Sequence, residues 1–554
     1  MRKSKQKNSL TVNAIAGSNV VILGFNMKEE ECEGLLGFSI HRKDHTENEC
    51  YYMKGMKTFE ETDPGFPSGS LYSTKDHPWQ SFQWADYSAK PGHVYTYTIT
   101  ALKGKPSELL PFEKTKLKIT TEAEENEVHN VYFNRGISAT QDYVRRFGDE
   151  KPSEDDAPDS PKFKWLSRGL YEALENFVKS CEAGKHSLRI SAYEFNYLPF
   201  LRLLKNSIDR GVDIKIVYDA RKDSPKIKNE ERILECGLVD YCIPRREGKS
   251  YISHNKFIVK LENDIPISVW TGGTNFSVGG IFGHSNVAHV IADKETAMKF
   301  MEYWSELSKD KKTAVLKSDV ERISPLSTLP ISIGKQCVFS PRKNLDALNL
   351  YRDLALSAKN GLFMTFAFGM NDLFKNVYKN SEAILRYALF EKKTRPMKND
   401  SPERIAEEKA IDLLRFKPEN IFAIGDLIKT NDFDGWVKET LSDLNRSVQY
   451  VHNKFMLIDP LNTNPVIITG SANFSEASTV NNDENMVIIY GNTRVADIYL
   501  GEYMRLFSHH AFRESLKWRK PDEKPKYLKT DDWWRDYYRN NDRAARRNYF
   551  SKIL

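Results

Sequence analysis

His254-Asn255-Lys256-Phe257 and, 198 residues later, His452-Asn453-Lys454-Phe455 open two versions of one passage. Each runs on to a second landmark, Thr271-Gly272-Gly273-Thr274-Asn275-Phe276-Ser277 in the first copy and Thr469-Gly470-Ser471-Ala472-Asn473-Phe474-Ser475 in the second. The 24-residue blocks 254–277 and 452–475 align without a gap, and nine positions are identical, among them the His, the Lys, a Gly and the Asn. A duplicated fold alone would keep apolar spacing. It gives no reason to keep the polar residues while the apolar ones between them drift.

If each block begins as a strand, His and Lys two positions apart project from one face and the Asn between them from the other. The Gly-Gly or Gly-Ser pair then permits a tight turn with free backbone N–H groups, and Asn275 or Asn473 adds a side-chain donor. Each copy thus offers an imidazole, an ammonium and neutral donors. Two copies facing each other suit a tetrahedral phosphate: Lys256, Lys454, Asn275 and Asn473 neutralise its non-bridging oxygens, Gly272, Gly273, Gly470 and Ser471 lend backbone groups, and one His stands on each side for in-line chemistry.

Outward from the blocks, strand and helix patterns alternate. Leu188 to Tyr193 reads as a strand, Leu198 to Arg210 as an amphipathic helix ending at Gly211, and Val212 to Tyr218 as the next strand, a βαβ unit that implies a sheet covered by helices. The second half begins alike, with a helix over Leu345 to Ala358 and a buried strand over Leu362 to Phe368. A polar, helix-rich insertion, 391–444, follows. His509 and His510 lie outside the repeat and read as surface or capping residues.

Before the repeat, residues 10–122 carry short β-branched or aromatic runs such as Val20 to Phe25 and Tyr95 to Thr100, punctuated by Pro64-Gly65 and Pro91-Gly92, as in a β-sandwich. The corner from Asp86 to Tyr97 resembles that of fibronectin type III domains. Residues 123–162, with the Pro-rich acidic stretch Gly148 to Pro161, read as a linker.

With 40% hydrophobic and 29% charged residues among 554, bulk disorder is excluded, and a net charge of +6 excludes a histone-like composition. That charge has an address: residues 517–554 hold 12 Lys and Arg against 6 Asp and Glu, interleaved with Trp533, Trp534, Tyr537 and Tyr538. Such a basic aromatic tail, 516–554, suits anionic membrane or nucleic-acid contact, or equally a terminal helix with its aromatics packed inward. The six cysteines are too dispersed for a metal or redox pair. No apolar run is long enough for an integral membrane segment, so a cytoplasmic location is expected.

Two His-x-Lys motifs, each followed by Gly-Gly/Ser-x-Asn, resemble the phospholipase D superfamily, whose motif continues to an Asp seven residues after the His. The resemblance covers about Phe163 to Phe512. It implies an α/β fold of two pseudo-symmetric halves, 163–325 and 326–515, each a mixed sheet flanked by helices, behind the all-β sandwich. The second copy carries the Asp at Asp459; the first has Leu261 there, which bears on how His254 is oriented. Glu484 lies where the family places an acidic residue that supports a catalytic His, and the matching first-half segment reads Ser285-Asn286 after a one-residue slip. The implied reaction is cleavage of a phosphodiester through a phosphohistidine, with His254 as nucleophile and His452 as acid and base. It is expected to need neither metal nor cofactor, because the lysines supply the positive charge, nor a second chain. A phospholipid substrate is expected, aided by an apolar loop at Ile281-Phe282. The alternatives are a nuclease that uses the same two histidines and a decayed recognition scaffold.

Overall fold

The computed structural model describes residues 1–65, 70–136, 140–148, 150–329, 333–395, 397–425, 450–517 and 527–552. Two seven-stranded mixed sheets dominate it, and they share one strand order. The first runs His129–Phe133, Val287–Ile291, Ile265–Gly272, Lys256–Glu262, His186–Ala192, Asp213–Asp219, Cys242–Arg245; the second runs Gly334–Ser340, Glu484–Tyr490, Val466–Gly470, Phe455–Ile458, Gly361–Phe366, Leu385–Phe390, Asn420–Ile424. In each, the last three strands are parallel and the rest antiparallel. The parallel pairs are linked by crossover helices, Leu198–Asp209 and Asp223–Glu235 in the first half, Asp372–Asn380 and Pro402–Arg415 in the second. Strands buried on both faces explain the near-continuous apolar runs of these segments.

Two expected connectors are parts of these sheets. His129–Phe133, inside the expected linker 123–162, pairs with Val287–Ile291 because its Val131, Tyr132 and Phe133 bury at the sheet edge. Within the expected insertion 391–444, Pro402–Arg415 and Asn420–Ile424 are the regular helix and strand that complete the second sheet. The remainder of that insertion, 426–444, lies outside the described residues.

The halves share a core. Phe257, Phe300, Tyr303 and Phe339 interlock with Phe363, Phe455, Tyr499 and Tyr503 between the sheets. The long helices Lys294–Ser308 and Thr493–Lys517, each following the last strand of its half, contribute to that core. His510 is fully buried there rather than at the surface, its ring 5.6 Å from that of Tyr450.

The N-terminal region is an all-antiparallel pair of four-stranded sheets. It starts earlier than residue 10, with Arg2–Lys7 as an edge strand. At the corner before the strand Val94–Lys105, the Lys90 N–H donates to the Tyr95 hydroxyl at 2.9 Å. The described part of the tail closes this region onto the second half. Trp533 and Trp534 fill its core, and Trp533 Nε1 donates to Leu35 O at 2.7 Å. Helix Asp542–Ser551 lies against Val21–Asn26 so closely that a Cβ on Gly24 would stand 2.1 Å from Phe550 O, while Tyr549 packs on Phe363. The tail is therefore a clasp whose large aromatics are consumed in packing; Trp518 lies outside the described residues. No helix among the described residues is long and apolar enough to cross a membrane.

Candidate active site

Both His-x-Lys motifs sit where a loop enters the central strand of its sheet, and the two loops cross. The His254 N–H donates to Asp483 O at 2.9 Å, and the His452 N–H to Ser285 O at 3.2 Å. Carboxylates pin each loop from its own half. Asp219, at the end of its strand, accepts from Ser253 N at 2.7 Å, and Glu391 accepts from Tyr450 N and Val451 N at 3.1 and 2.8 Å. Burial pushes the Asp219 carboxyl up to about 6.

The imidazoles are held crosswise. Glu484, from the second half, accepts from Nδ1 of His254 at 2.9 Å through both oxygens. Asn286, from the first half, offers Oδ1 to Nδ1 of His452 at 3.1 Å. A carboxylate only accepts, and the Asn286 amide is oriented by donating Nδ2 to Gly280 O at 2.7 Å, so both rings keep their proton on Nδ1 and present Nε2. Asn286 lies 198 residues before Glu484, the same offset as between the histidines, so the one-residue slip expected from the sequence is unnecessary. The Tyr193 ring meets His254 edge-on at 4.9 Å, and His284 lies 4.5 Å from the His452 ring.

Lys256 and Lys454 are buried to 1% exposure, and each Nζ donates to the carbonyl of its own motif's histidine. Burial holds the Lys256 ammonium down at about 7, partly offset by Glu484 and Glu194. Lys454 is lowered further, by burial and then by Lys256. Burial also lowers His254 to about 4 against the pull of Glu484, and pushes His452 well down, helped by Lys454 and His284. These mutual effects place two imidazoles and two ammoniums within one electrostatic neighbourhood. An anion between the lysines would relieve both.

Asn275 is buried and donates Nδ2 to Glu194 at 3.0 Å, beside Ser277 Oγ at 2.6 Å. Asn473 occupies the matching place in the second half, its Oδ1 buried without a hydrogen-bond partner among the described residues. Extended along the chain, the register aligns Phe368 with Glu194, so the residue that holds Asn275 has no acidic counterpart at that position of the second half.

Other expected members belong elsewhere. The N–H groups of Gly273 and Ser471 donate to Val287 O and Asn485 O at 3.1 and 2.8 Å, so they complete strand pairing and are not free for phosphate. Gly272 and Gly470 are glycine because a Cβ would fall 2.3 Å from Val287 O and 2.2 Å from Asn485 O. Ser471 acts through its hydroxyl, which donates to Glu484 at 2.7 Å. Asp459 is not at the site: its carboxylate accepts from the N–H groups of Lys359, Asn360 and Gly361 at 2.7–3.2 Å, fastening the start of the strand Gly361–Phe366. Its counterpart Leu261 is a core residue, so the missing Asp does not affect the orientation of His254. Ile281 and Phe282 form no exposed loop; both are fully buried, with Phe282 stacked on Phe163 at 4.0 Å.

Sequence reasoning missed Glu194, Asn286, Asp219 and Glu391. Only Asn286 left a readable signal, the 198-residue offset from Glu484.

The site thus combines two imidazoles held through Nδ1, buried lysines and a crosswise carboxylate. Residues 177–308 and 428–507 match the family model "Cardiolipin synthase, PLD-like domain". Both His-x-Lys blocks fall inside the PLD-like match. No curated protein matches the chain. Among solved structures, phosphatidylserine synthase from Haemophilus influenzae is 12% identical, covering 62% of this chain and 85% of its own, with a TM-score of 0.44. Yeast tyrosyl-DNA phosphodiesterase is 13% identical over 56% of this chain and 85% of its own, TM-score 0.33. Nuc from Salmonella typhimurium is 18% identical over 32% and 94%, TM-score 0.23. At these identities and scores the three are likenesses only, and the substrates in their names stay with them.

Proposed function

We propose that the chain is a PLD-like phosphodiesterase acting on a phospholipid through a phosphohistidine, with His254 as nucleophile and His452 as acid and base. The observation that carries the reading is the unequal support of the two rings. When Nε2 of His254 attacks phosphorus, the N–P bond forms, the P–O bond to the leaving group breaks, and the ring becomes cationic. Glu484 stabilises that charge. His452, entering the step as the imidazolium, delivers its Nε2 proton to the departing oxygen and keeps its Nδ1 proton donated to Asn286, whose neutral amide does not hold the ring in the charged form. In the second step His452 takes a proton from water or an alcohol, whose oxygen attacks phosphorus and breaks the N–P bond. Lys256, Lys454, Asn275 and Asn473 receive the non-bridging oxygens.

Lipid is favoured over nucleic acid by the description of the matching family model and by the loss of the tail as a stacking platform, since Trp533, Trp534 and Tyr549 are buried. The β-sandwich, which we also propose to be fibronectin type III-like, is a spacing or docking module.

The test is turnover of bis-p-nitrophenyl phosphate in EDTA by wild type, His254→Ala and His452→Ala, followed by phosphatidylcholine vesicles and single-stranded DNA as substrates. Each alanine variant is expected to abolish turnover. Full activity in either rejects the two-histidine mechanism, and cleavage of DNA alone rejects the lipid assignment.

A further inference from the structure

Ion pairs are spread over the α/β body, but one face of the N-terminal region carries lysines that form none among the described residues. On the strand Glu108–Thr120, Lys114, Lys116 and Lys118 are exposed and alternate with buried Thr115, Leu117 and Ile119, so all three project outward. The register continues the face inward: Lys116 lies beside Thr98 and then His41, Lys118 beside Thr96 and then Lys43. Lys3, Lys5 and Lys7 line the neighbouring edge strand Arg2–Lys7, all exposed. None of these seven lysines forms an ion pair among the described residues. Partial burial, then Lys114 and Lys116, lower the His41 imidazole, as a crowd of like charges requires. The acidic groups nearby are few and partly engaged. Glu113 accepts from Asn8 Nδ2 at 3.0 Å and Asp44 faces His93 at 2.9 Å, leaving Glu108 exposed at the tip, Glu49 on the strand beside Lys43 and Asp76 at the far border.

The hairpin that carries the lysines also exposes apolar groups at its end. A register shift between Pro111 and Glu113 turns Phe112 outward. Phe112 is 44% and Leu110 52% exposed, and Lys103 Nζ stands 3.9 Å over the Phe112 ring. Lysines beside exposed apolar side chains on one rigid hairpin match the two components of interfacial binding, attraction to anionic headgroups and insertion at the acyl boundary. An aliphatic Leu110 offers no stacking surface to a base, which favours the bilayer over a nucleic acid.

We propose that the 103–118 hairpin and the lysine face beside it dock the protein on an anionic phospholipid bilayer, with Leu110 and Phe112 entering the interface. The surface is separate from the His254 and His452 site, so turnover of a soluble diester reports on the site and vesicle binding on the surface. The experiment is co-sedimentation of the full chain with phosphatidylcholine vesicles, with and without phosphatidylserine, at low and high salt. Binding is expected only with phosphatidylserine and should weaken with salt. The triple variant Lys114→Glu, Lys116→Glu, Lys118→Glu should lose about 100-fold or more in partitioning. The pair Leu110→Ser, Phe112→Ser should lose about tenfold. Both should keep the wild-type unfolding midpoint and soluble turnover. Equal partitioning onto both vesicle types, undiminished binding by the triple variant, or binding of a single-stranded oligonucleotide in place of vesicles overturns the proposal.

Discussion

Glu484 and His254 come from opposite halves of the chain, 230 residues apart, and meet at 2.9 Å. The pairing makes the halves interdependent, since neither sheet alone supports its own imidazole. It also breaks the pseudo-symmetry chemically, because the equivalent contact to His452 is made by the neutral Asn286.

Removing the Glu484 charge tests that asymmetry. Glu484→Gln keeps an acceptor for Nδ1 but no longer stabilises a cationic ring, so formation of the phosphoenzyme should slow by about 100-fold, within the range of a lost electrostatic or acid–base contribution. Mapping after an alkaline quench, which preserves the N–P bond, should find the phosphoryl group on His254. A phosphoryl group on His452 would reverse the assignment.

The pH dependence follows from the same groups. In the free enzyme His254 must be neutral, His452 protonated and Lys256 charged, so kcat/KM should be bell-shaped. It should fall below about pH 4 as His254 is protonated, and its alkaline limb should lie below about pH 7, where His452, held well down by burial, loses its proton before Lys256 loses its charge. Glu484 raises His254, so Glu484→Gln should move the acid limb to lower pH; an acid limb that stays in place would separate it from His254.

The repeat made the site legible for a physical reason: chemistry constrains polar residues in register, and a fixed offset survives even where the apolar sequence drifts. His254, Lys256, Asn275 and their second-half counterparts stand out in the repeat as candidates, Glu484 only through the family resemblance, and the βαβ pattern that orders each sheet is visible in the apolar runs. What escaped was tertiary. A glycine that permits a phosphate turn and one that lets two strands approach look alike in sequence, and only the clash at Val287 O distinguishes Gly272. Asp459 sits at the motif position yet spends its oxygens on backbone N–H groups. Phe133 and Asn420 looked like connector residues because their strand partners are remote in the chain.

Lys256 predicts a conflict between activity and stability. Its value of about 7, against 10.5 when unfolded, means the folded chain binds fewer protons between those pH values, so this residue's contribution to stability rises with pH across that window. Lys256→Met should abolish turnover yet stabilise the fold at neutral pH by at least about 1 kcal/mol, because the buried charge is gone. Urea unfolding at several pH values checks it. The variant should also lose the slope that wild type shows above pH 7, and inorganic phosphate should stabilise wild type more than the variant.

Asp459 should behave in the opposite way. Its carboxylate gathers the N–H groups of Lys359, Asn360 and Gly361 at the start of the strand Gly361–Phe366 and makes no contact with either imidazole. Asp459→Ala leaves those three donors without their acceptor, a loss of about 2–3 kcal/mol for partly buried charge-assisted bonds. The unfolding midpoint should drop accordingly, while kcat on a soluble diester, measured per folded molecule below the transition, should remain within about twofold of wild type, since no interaction specific to the transition state is removed. A loss of kcat comparable to that of His452→Ala, with stability intact, would return Asp459 to the active site.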